Sequence, residues 1–185
     1  MSKQIPISFE FFPTKTDAGA EKLITVHKEL QLLNPEFFSV TYGAGGSTRE
    51  RTLSTLNDFN GKGTPVAPHL SCIGDSKERI AELLDLYKSQ GIDRIVALRG
   101  DLPSGQVGLG ELPYAQDLVH FIREHSGDHF HIEVAAYPEM HPQADSFDQD
   151  IQRFCEKANA GANAALTQFF FNPDAYFYFV DRIQR

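Results

Sequence analysis

The sequence is poor in several features that mark specialised classes of protein. Its two cysteines, Cys72 and Cys155, stand far apart, so they form neither a metal-binding motif nor a disulfide framework. It has no signal peptide and no apolar run near the length of a membrane span, which predicts a cytoplasmic protein without a membrane partner. The formal net charge of −8 argues against a general surface for nucleic acid or anionic lipid, although a local basic pocket for a phosphate stays compatible with it.

What the sequence does contain is one unit that repeats. Short apolar segments suited to strands start roughly 30 residues apart, which is the length of a strand–helix–strand unit. They are ISFEFFP, FFSVTYG, PVAPHLSC, RIVALRGD, HIEVAAYPE and AALTQFFFN. The segments between them have apolar residues at helical spacing, and Gly91 and Gly161 follow two of these helical patterns as C-cap signals. Strands that alternate with helices predict a parallel α/β sheet.

Two architectures compete for this pattern: an open doubly wound sheet and a (β/α)8 TIM barrel. Polar residues stand toward the C-terminal ends of the strands, where barrel active sites are built, and this favours the barrel. These residues are Glu10, Thr41, His69, Arg99, Asp101, Tyr137 and Gln168. A complete barrel takes about 250 residues, so we expect residues 1–185 to form a single incomplete barrel domain of about six units. Its two open edges would favour association.

Glu10 is the most informative of these residues, because it stands among phenylalanines on the first strand. Alternation along a strand puts Ser8, Glu10 and Phe12 on one face and Phe9 and Phe11 on the other. If the second set packs against helices, Glu10 points into the barrel near its mouth. A carboxyl group among aromatic rings is expected to have a raised pKa and could act as a general acid. A solvated Glu10 on an edge strand is the simpler alternative.

The remaining polar positions each have two interpretations. Arg99 and Asp101 share a face of the fourth strand, where they could serve a ligand or neutralise each other as an ion pair. The segments YGAGGSTRERT and LRGDLPSGQVGLG are glycine-rich loops that could shape a pocket, but neither carries a phosphate-loop signature. His141, in AYPEMHPQA, is either a ligand-contacting or a surface histidine. A buried Gln168 would need partners for both ends of its amide, from a heterocycle or from neighbouring backbone.

Taken together, the motifs SFEFFP, VTYGAGGS, APHLSC, VALRGDLP, AAYPEMHP and AGANAALTQFFF resemble those of methylenetetrahydrofolate reductases of the bacterial type. The resemblance runs from about residue 6 to the end of the chain. It implies a TIM barrel that carries non-covalent FAD, takes electrons from NADH or NADPH, and reduces 5,10-methylenetetrahydrofolate to 5-methyltetrahydrofolate for methionine synthesis. It also implies a homo-oligomer, since relatives form homo-oligomers.

The resemblance further implies a role for each matching position. Glu10 corresponds to the catalytic acid, and Asp101 to an aspartate beside the flavin ring and the bound pterin. Gln168 corresponds to a contact with folate and nicotinamide, and Thr41 to a residue of the nicotinamide site. The positions that match flavin contacts are Tyr42, Ala44, His69, Arg99, Gly100, Ala115, Tyr137, His141, Ala144, Asp150 and Lys157. Arg99 and Lys157 are natural partners for the charge of a pyrophosphate.

The chain departs from the family pattern in two respects. Arg153 and Glu156 stand where relatives have an asparagine and a basic residue, which predicts that the phosphate or adenosine end of the flavin is held differently. The residues that the family takes from the seventh and eighth units are absent. A flavin-binding fragment without full folate reductase activity is therefore the alternative function, and a phosphosugar isomerase on a similar barrel would need a phosphate site from those missing strands.

Overall fold

A computed structural model of the chain describes residues 5–42, 46–101 and 110–184. Within these ranges six strands alternate with six helices. The strands are β1 (Phe9–Phe11), β2 (Phe38–Val40), β3 (Val66–Ser71), β4 (Arg94–Leu98), β5 (His131–Ala136) and β6 (Ala164–Thr167). The helices are α1 (Asp17–Gln31), α2 (Gly46–Phe59), α3 (Lys77–Ser89), α4 (Ala115–Ser126), α5 (Phe147–Asn159) and α6 (Pro173–Ile183).

The strands form one parallel sheet in the order β1-β2-β3-β4-β5-β6. A doubly wound sheet would reverse its strand order partway, whereas strictly sequential parallel strands are the arrangement of a TIM barrel. The predicted fold class is therefore confirmed: the sheet curls as part of an α/β barrel. Among the described residues no strand pairs with the outer edge of β1 or of β6.

Local sequence signals explain where the helices begin and end. The side chains of Thr16, Ser76 and Ser146 accept hydrogen bonds from backbone N–H groups in the first turns of α1, α3 and α5. Gly91 follows α3 with a φ of 72°, a conformation that glycine adopts without steric cost. These caps set the helix ends, and so they also set the lengths of the loops that carry the polar side chains.

The two faces of the sheet have different roles. Phe9 and Phe11 pack outward toward the helices, where the ring of Phe11 lies 4.9 Å from that of Phe59 and 5.5 Å from that of Phe38. This confirms the predicted alternation along β1 and puts Glu10 on the inner face. A smaller apolar cluster fills the inside of the barrel, and it comprises Phe37, Ala67, Val96, Leu98 and Leu166.

An ion pair with a buried carboxylate lies at the N-terminal end of this interior. Arg94 donates to Glu133 at 2.6 Å, and His131 Nε2 lies 3.4 Å from the same carboxylate oxygen. The guanidinium of Arg94 also stacks over the ring of Phe37 at 4.5 Å. These side chains occupy the N-terminal end of the interior, whereas the polar residues predicted for a site stand at the C-terminal ends of the strands.

Apolar side chains are exposed around the last strand and helix. Phe169, Phe171 and Phe177 are 75%, 85% and 62% exposed. Aromatic rings left in water beside an unpaired strand edge favour association, and the homo-oligomer stays a prediction. No helix in the described part of the chain has both the length and the apolarity needed to cross a bilayer.

Candidate active site

A cavity of about 470 Å³ opens at the C-terminal ends of β4 and β5, between the first turns of α4 and α5. Parallel strands present their C-terminal ends to a common edge, so residues distant in the sequence meet there. Most of the predicted flavin-contact positions line this cavity, namely Arg99, Gly100, Asp101, Ala115, Tyr137, His141, Ala144, Asp150 and Lys157. The structure therefore brings together a set of residues that span 59 positions of the chain from Arg99 to Lys157.

Three cations line the cavity: Arg99, Arg153 and Lys157. Arg99 lies at the end of β4 and donates to Gln143 at 2.6 Å. Arg153 and Lys157 are four residues apart and so lie on the same face of α5. The first turn of α4 adds backbone N–H groups at Ala115 and Gln116, which have no partner inside a helix. Cations together with a helix start are the groups that bind a phosphate.

Lys157 is the most deeply placed of these cations. Its ammonium donates to the backbone oxygen of Ala135 on β5, and it lies 5.6 Å from the ring of Phe154. Burial lowers the pKa of Lys157, and the negative charge of Asp150 offsets part of this effect. An ammonium has three donors, so the contact with Ala135 leaves others for a ligand phosphate.

Tyr137 and His141 form an aromatic wall of the cavity, with ring centroids 4.5 Å apart. His141 is held in place because its backbone N–H donates to Asp150 at 2.8 Å and its Nδ1 accepts from Gln143 N at 3.0 Å. Burial raises the pKa of the Tyr137 phenol, and the charges of Asp150 and Asp101 raise it further. Tyr137 is therefore a neutral ring and hydrogen-bond donor across the physiological pH range.

Arg99 and Asp101, both within the described residues, do not form an ion pair. The guanidinium of Arg99 instead contacts Gln143 and the backbone oxygen of Gly100, while Asp101 is exposed at the rim of the cavity. The charges of both residues act on Tyr137. Arg99 and Asp101 therefore do not neutralise each other by direct contact, and both side chains are candidates for binding a ligand.

The backbone at Gly100 has no room for a side chain. Its φ is 82°, and a Cβ added there would lie 1.9 Å from the hydroxyl oxygen of Ser71 on the neighbouring strand. That hydroxyl donates to the backbone oxygen of Arg99 at 2.9 Å. Close approach of β3 and β4 therefore fixes the direction in which the chain leaves the sheet toward Asp101.

We expect Gly100→Ala to lower the free energy of unfolding by about 2–4 kcal/mol, because it adds a steric clash to a left-handed backbone conformation. Urea denaturation measures this change. Gly91→Ala is the matched control, because Gly91 has a φ of 72° with nothing within 4 Å of the added Cβ, and it should cost about 1 kcal/mol. Adding Ser71→Gly to Gly100→Ala should recover the part of the lost free energy of unfolding that comes from the clash with the Ser71 side chain. Equal losses at both glycines would contradict the proposed clash.

Glu10 lies apart from this cavity and contacts His69 across the inside of the sheet. Its Oε2 is 3.2 Å from Nε2 of His69, although the ring N–H is not aimed straight at it. The Glu10 side chain is 46% exposed, whereas that of His69 is 10% exposed. The hydrogen-bonding and charge interactions with His69 lower the pKa of Glu10, and partial burial of the carboxyl opposes this without reversing it. The prediction of a raised pKa is therefore wrong for the protein without ligand.

The other predicted positions lie outside the cavity. Thr41 follows β2, where its backbone N–H donates to Phe11 at 2.9 Å and its carbonyl accepts from Thr52 at 3.1 Å. Tyr42 follows it and is half-buried. Ala44 lies outside the described residues, as do parts of both glycine-rich loops. Gln168 is not a buried glutamine, because its side chain is exposed and its amide oxygen accepts from the backbone N–H of Phe169 at 2.8 Å.

The cavity also contains Tyr114 and Gln143, to which the sequence did not point, and Arg153, which the sequence marked only as a departure from the family pattern. The guanidinium of Arg153 lies 5.0 Å from the ring centroid of Tyr114 and 3.2 Å from the carboxylate of Glu156. The spacing of four between Arg153 and Lys157 could have indicated a shared face. Gln143 and Tyr114 had no such signal, since their contacts with the site depend on the loops around α4 and α5.

Comparison with known proteins decides which family this arrangement belongs to. The family model described as Methylenetetrahydrofolate reductase matches residues 1–185. The chain belongs to the methylenetetrahydrofolate reductase family. The 5,10-methylenetetrahydrofolate reductase of Pectobacterium carotovorum is 47% identical over 180 residues, covering 97% of this chain and 59% of the relative. The enzyme of the same name from Escherichia coli is 44% identical, covering 97% of this chain and 60% of the relative.

The chain thus spans about three fifths of the length of these curated reductases.

Solved structures agree with the fold. A phosphoenolpyruvate phosphomutase from Streptomyces platensis matches with a TM-score of 0.66 at 15% identity, covering 99% of this chain and 67% of that one. A protein from Clostridium thermocellum, which binds two copies of 5-methyl-5,6,7,8-tetrahydrofolic acid, matches with a TM-score of 0.62 at 16% identity, covering 96% and 59%. At such identities the likeness concerns the fold alone.

Proposed function

We propose that this chain is the flavin-binding portion of a reductase that converts 5,10-methylenetetrahydrofolate to 5-methyltetrahydrofolate, with FAD as cofactor and NADH or NADPH as reductant. The observation that carries the proposal is the cavity at the ends of β4 and β5, which is lined by most of the positions that match flavin contacts in the family. The names of the bacterial relatives support the substrate, and the maize and Arabidopsis relatives are named as NADH enzymes.

The residues present fit a dinucleotide. Arg99, Arg153 and Lys157 provide positive charge for two phosphates, and the first turn of α4 provides backbone donors. Tyr137 and His141 provide an aromatic surface for a ring system. When bound, FAD supplies the hydride for the folate and is reduced again by the nicotinamide cofactor.

The proposed chemistry of the chain itself centres on Glu10 and Asp101. Glu10 donates a proton to the folate amine, so that the five-membered ring opens and leaves a cationic iminium on the folate. The exposed carboxylate of Asp101, at the rim of the cavity, stabilises that positive charge. Thr41 follows β2 and Gln168 follows β6, both at the C-terminal ends of their strands, and in this proposal they contact nicotinamide and folate.

A second candidate function is flavin binding without folate turnover. The observation that favours it is the coverage of the bacterial relatives, of which the chain spans 59% and 60%. In this case the cavity at β4 and β5 would bind FAD as proposed, while the part of the substrate site that relatives build from their remaining length would be lacking.

One experiment separates the two functions. The purified chain is loaded with FAD, reduced anaerobically with NADH and then mixed with 5,10-methylenetetrahydrofolate, and absorbance near 450 nm is followed throughout. Bleaching followed by recovery of the colour supports the reductase. Bleaching without recovery supports the flavin-binding fragment, and a chain that takes up no FAD contradicts both proposals.

Lys157→Met tests the assignment of the cavity to the phosphates. We expect it to raise the dissociation constant for FAD by roughly 10–100-fold, because one charge-assisted hydrogen bond is worth about 1.5–3 kcal/mol. Riboflavin, which has no phosphate, should bind equally well to both proteins. Since burial lowers the pKa of Lys157, wild-type affinity for FAD should fall at alkaline pH, as the ammonium loses its proton, and this fall should be absent in Lys157→Met.

Lys28→Met is the matched control for this measurement. Lys28 is exposed in the last turn of α1 and does not line the cavity, so its loss should leave FAD affinity unchanged. If Lys157→Met binds FAD as tightly as wild type at neutral pH, the cavity does not hold the phosphates in the way proposed.

A further inference from the structure

The contact between Glu10 and His69 joins two strands that are not neighbours. Glu10 is on β1 and His69 is on β3, with β2 between them. In the β1–β2 register Glu10 lies opposite Ser39, a small and buried residue. Because adjacent strands are about 4.8 Å apart, the two longer side chains can reach across β2 and meet at 3.2 Å.

The side chains of Glu10 and His69 differ in how far their surroundings restrict their movement. His69 is only 8% exposed, and on its other side it lies opposite Val96 of β4. The Glu10 side chain is nearly half exposed and sits on the edge strand of the described sheet, so without a partner it would sample several rotamers in water. A fixed imidazole facing a mobile carboxylate is an arrangement in which the histidine sets the position of the acid.

Within the described part of the chain, the neighbouring strands bring no competing charge to this pair. The side chains that face it from β2 are Ser39 and Thr41, and from β4 Val96 and Leu98, none of which titrates. Among the described residues His69 is the one group whose charge acts on the pKa of Glu10. The protonation of Glu10 is thus coupled to one partner rather than to a network.

We propose that His69 is a positioning residue for Glu10, which holds the carboxylate at the barrel mouth until a ligand parts the two side chains. The inference rests on the proposed function, in which Glu10 must carry a proton to act as the acid. A folate ring that draws the Glu10 carboxyl away from His69 and excludes water from it would favour the protonated form. Proton uptake by Glu10 would then accompany substrate binding, and the free protein would hold no reactive acid.

The coupling can be measured by NMR in the protein without flavin. The chain is labelled with ¹³C at the glutamate carboxyl carbon, the Glu10 signal is assigned by its loss in Glu10→Gln, and its titration is followed in wild type, His69→Gln and His69→Leu. Glutamine retains a donor without the charge, and leucine removes both. We expect the titration midpoint of Glu10 to rise from wild type to His69→Gln and again to His69→Leu.

His125→Leu is the matched control, because His125 contacts Asp85 at 3.0 Å in a similar pair between α3 and α4, away from the barrel mouth. It should leave the Glu10 midpoint unchanged. Identical Glu10 midpoints in wild type and in both folded His69 variants would overturn the inference. His69→Gln keeps the test valid if the apolar variant does not fold.

A second titration, with FAD and 5-methyltetrahydrofolate added to the wild-type chain, separates this inference from the proposed function. The inference predicts a higher Glu10 midpoint with both ligands bound. If the chain binds neither ligand, the proposed function fails, while a difference between wild type and His69→Leu still establishes the coupling. If both ligands bind and the midpoint does not rise, the role in substrate binding is wrong.

Discussion

Glu10→Gln is expected to lower the rate of 5,10-methylenetetrahydrofolate reduction by about 10²–10⁴-fold, which is the usual contribution of a general acid. Glutamine has nearly the same shape as glutamate but cannot donate a proton to the folate amine. Because Glu10 lies outside the cavity at β4 and β5, FAD affinity and reduction by NADH should be unchanged. Stopped-flow reoxidation of the reduced, FAD-loaded chain by the folate measures the first effect, and anaerobic bleaching measures the second.

Glu36→Gln provides the control for this substitution. Glu36 is an exposed carboxylate in the segment before β2, so the change makes the same alteration in net charge without touching the barrel mouth. It should leave the reoxidation rate as in wild type. A Glu10→Gln protein that reduces the folate at the wild-type rate would show that the acid is another group.

Arg123→Ala is expected to have a large effect on stability. The guanidinium of Arg123, on α4, donates to the backbone oxygens of Gly127, Phe130 and Gly161 at 2.8–3.0 Å and to the side chain of Asn163 at 2.6 Å. These contacts join the ends of α4 and α5 to the starts of β5 and β6. Their loss should lower the free energy of unfolding by about 2–4 kcal/mol, because bonds to a charged donor are worth about 1.5–3 kcal/mol each and water replaces part of them.

Arg123→Lys should recover little of this loss, since an ammonium cannot reproduce the planar fork of a guanidinium. Arg79→Ala is the control, because Arg79 forms an exposed i,i+3 pair with Glu82 whose loss should cost at most about 0.5 kcal/mol. Urea denaturation of the variants gives the comparison. A loss below about 1 kcal/mol in Arg123→Ala would mean that the bonds seen here are largely replaced by water.

The sequence predicted the parts of the fold that depend on local pattern. Alternation along β1 put Phe9 and Phe11 on the helix side and Glu10 inside, and the structure agrees because burial of the two rings against α1 and α2 determines which face turns outward. The prediction of a C-cap at Gly91 agrees with its positive φ after α3, because the end of a helix depends on residues that are close in the sequence.

The electrostatics of Glu10 could not be predicted in this way. The neighbouring phenylalanines in the sequence suggested an apolar site and hence a raised pKa. In the structure Phe11 faces the opposite side of the sheet, and the group that acts on Glu10 is His69, two strands away. Which side chain crosses a sheet to meet another depends on strand order and register, and these are not visible in one segment.

The contacts of Gln168 and Arg123 show the same limit. Gln168 lies just past the end of β6, where the sheet has no further strand among the described residues, so its side chain turns to its own backbone. Arg123 is on the amphipathic helix α4, and it binds three backbone oxygens that lie beyond the end of this helix. Backbone acceptors carry no signature in the sequence, and therefore such contacts appear only in the fold.

The most direct test of the central claim is a titration of the flavin-free chain with FAD, followed by flavin fluorescence and run in parallel with Lys157→Met. If the cavity at β4 and β5 is the flavin site, wild type should bind one FAD per chain in a saturable manner, and Lys157→Met should bind it more weakly while binding riboflavin equally well. Absence of saturable binding to the folded wild-type chain, or identical FAD curves for the two proteins, would contradict the account.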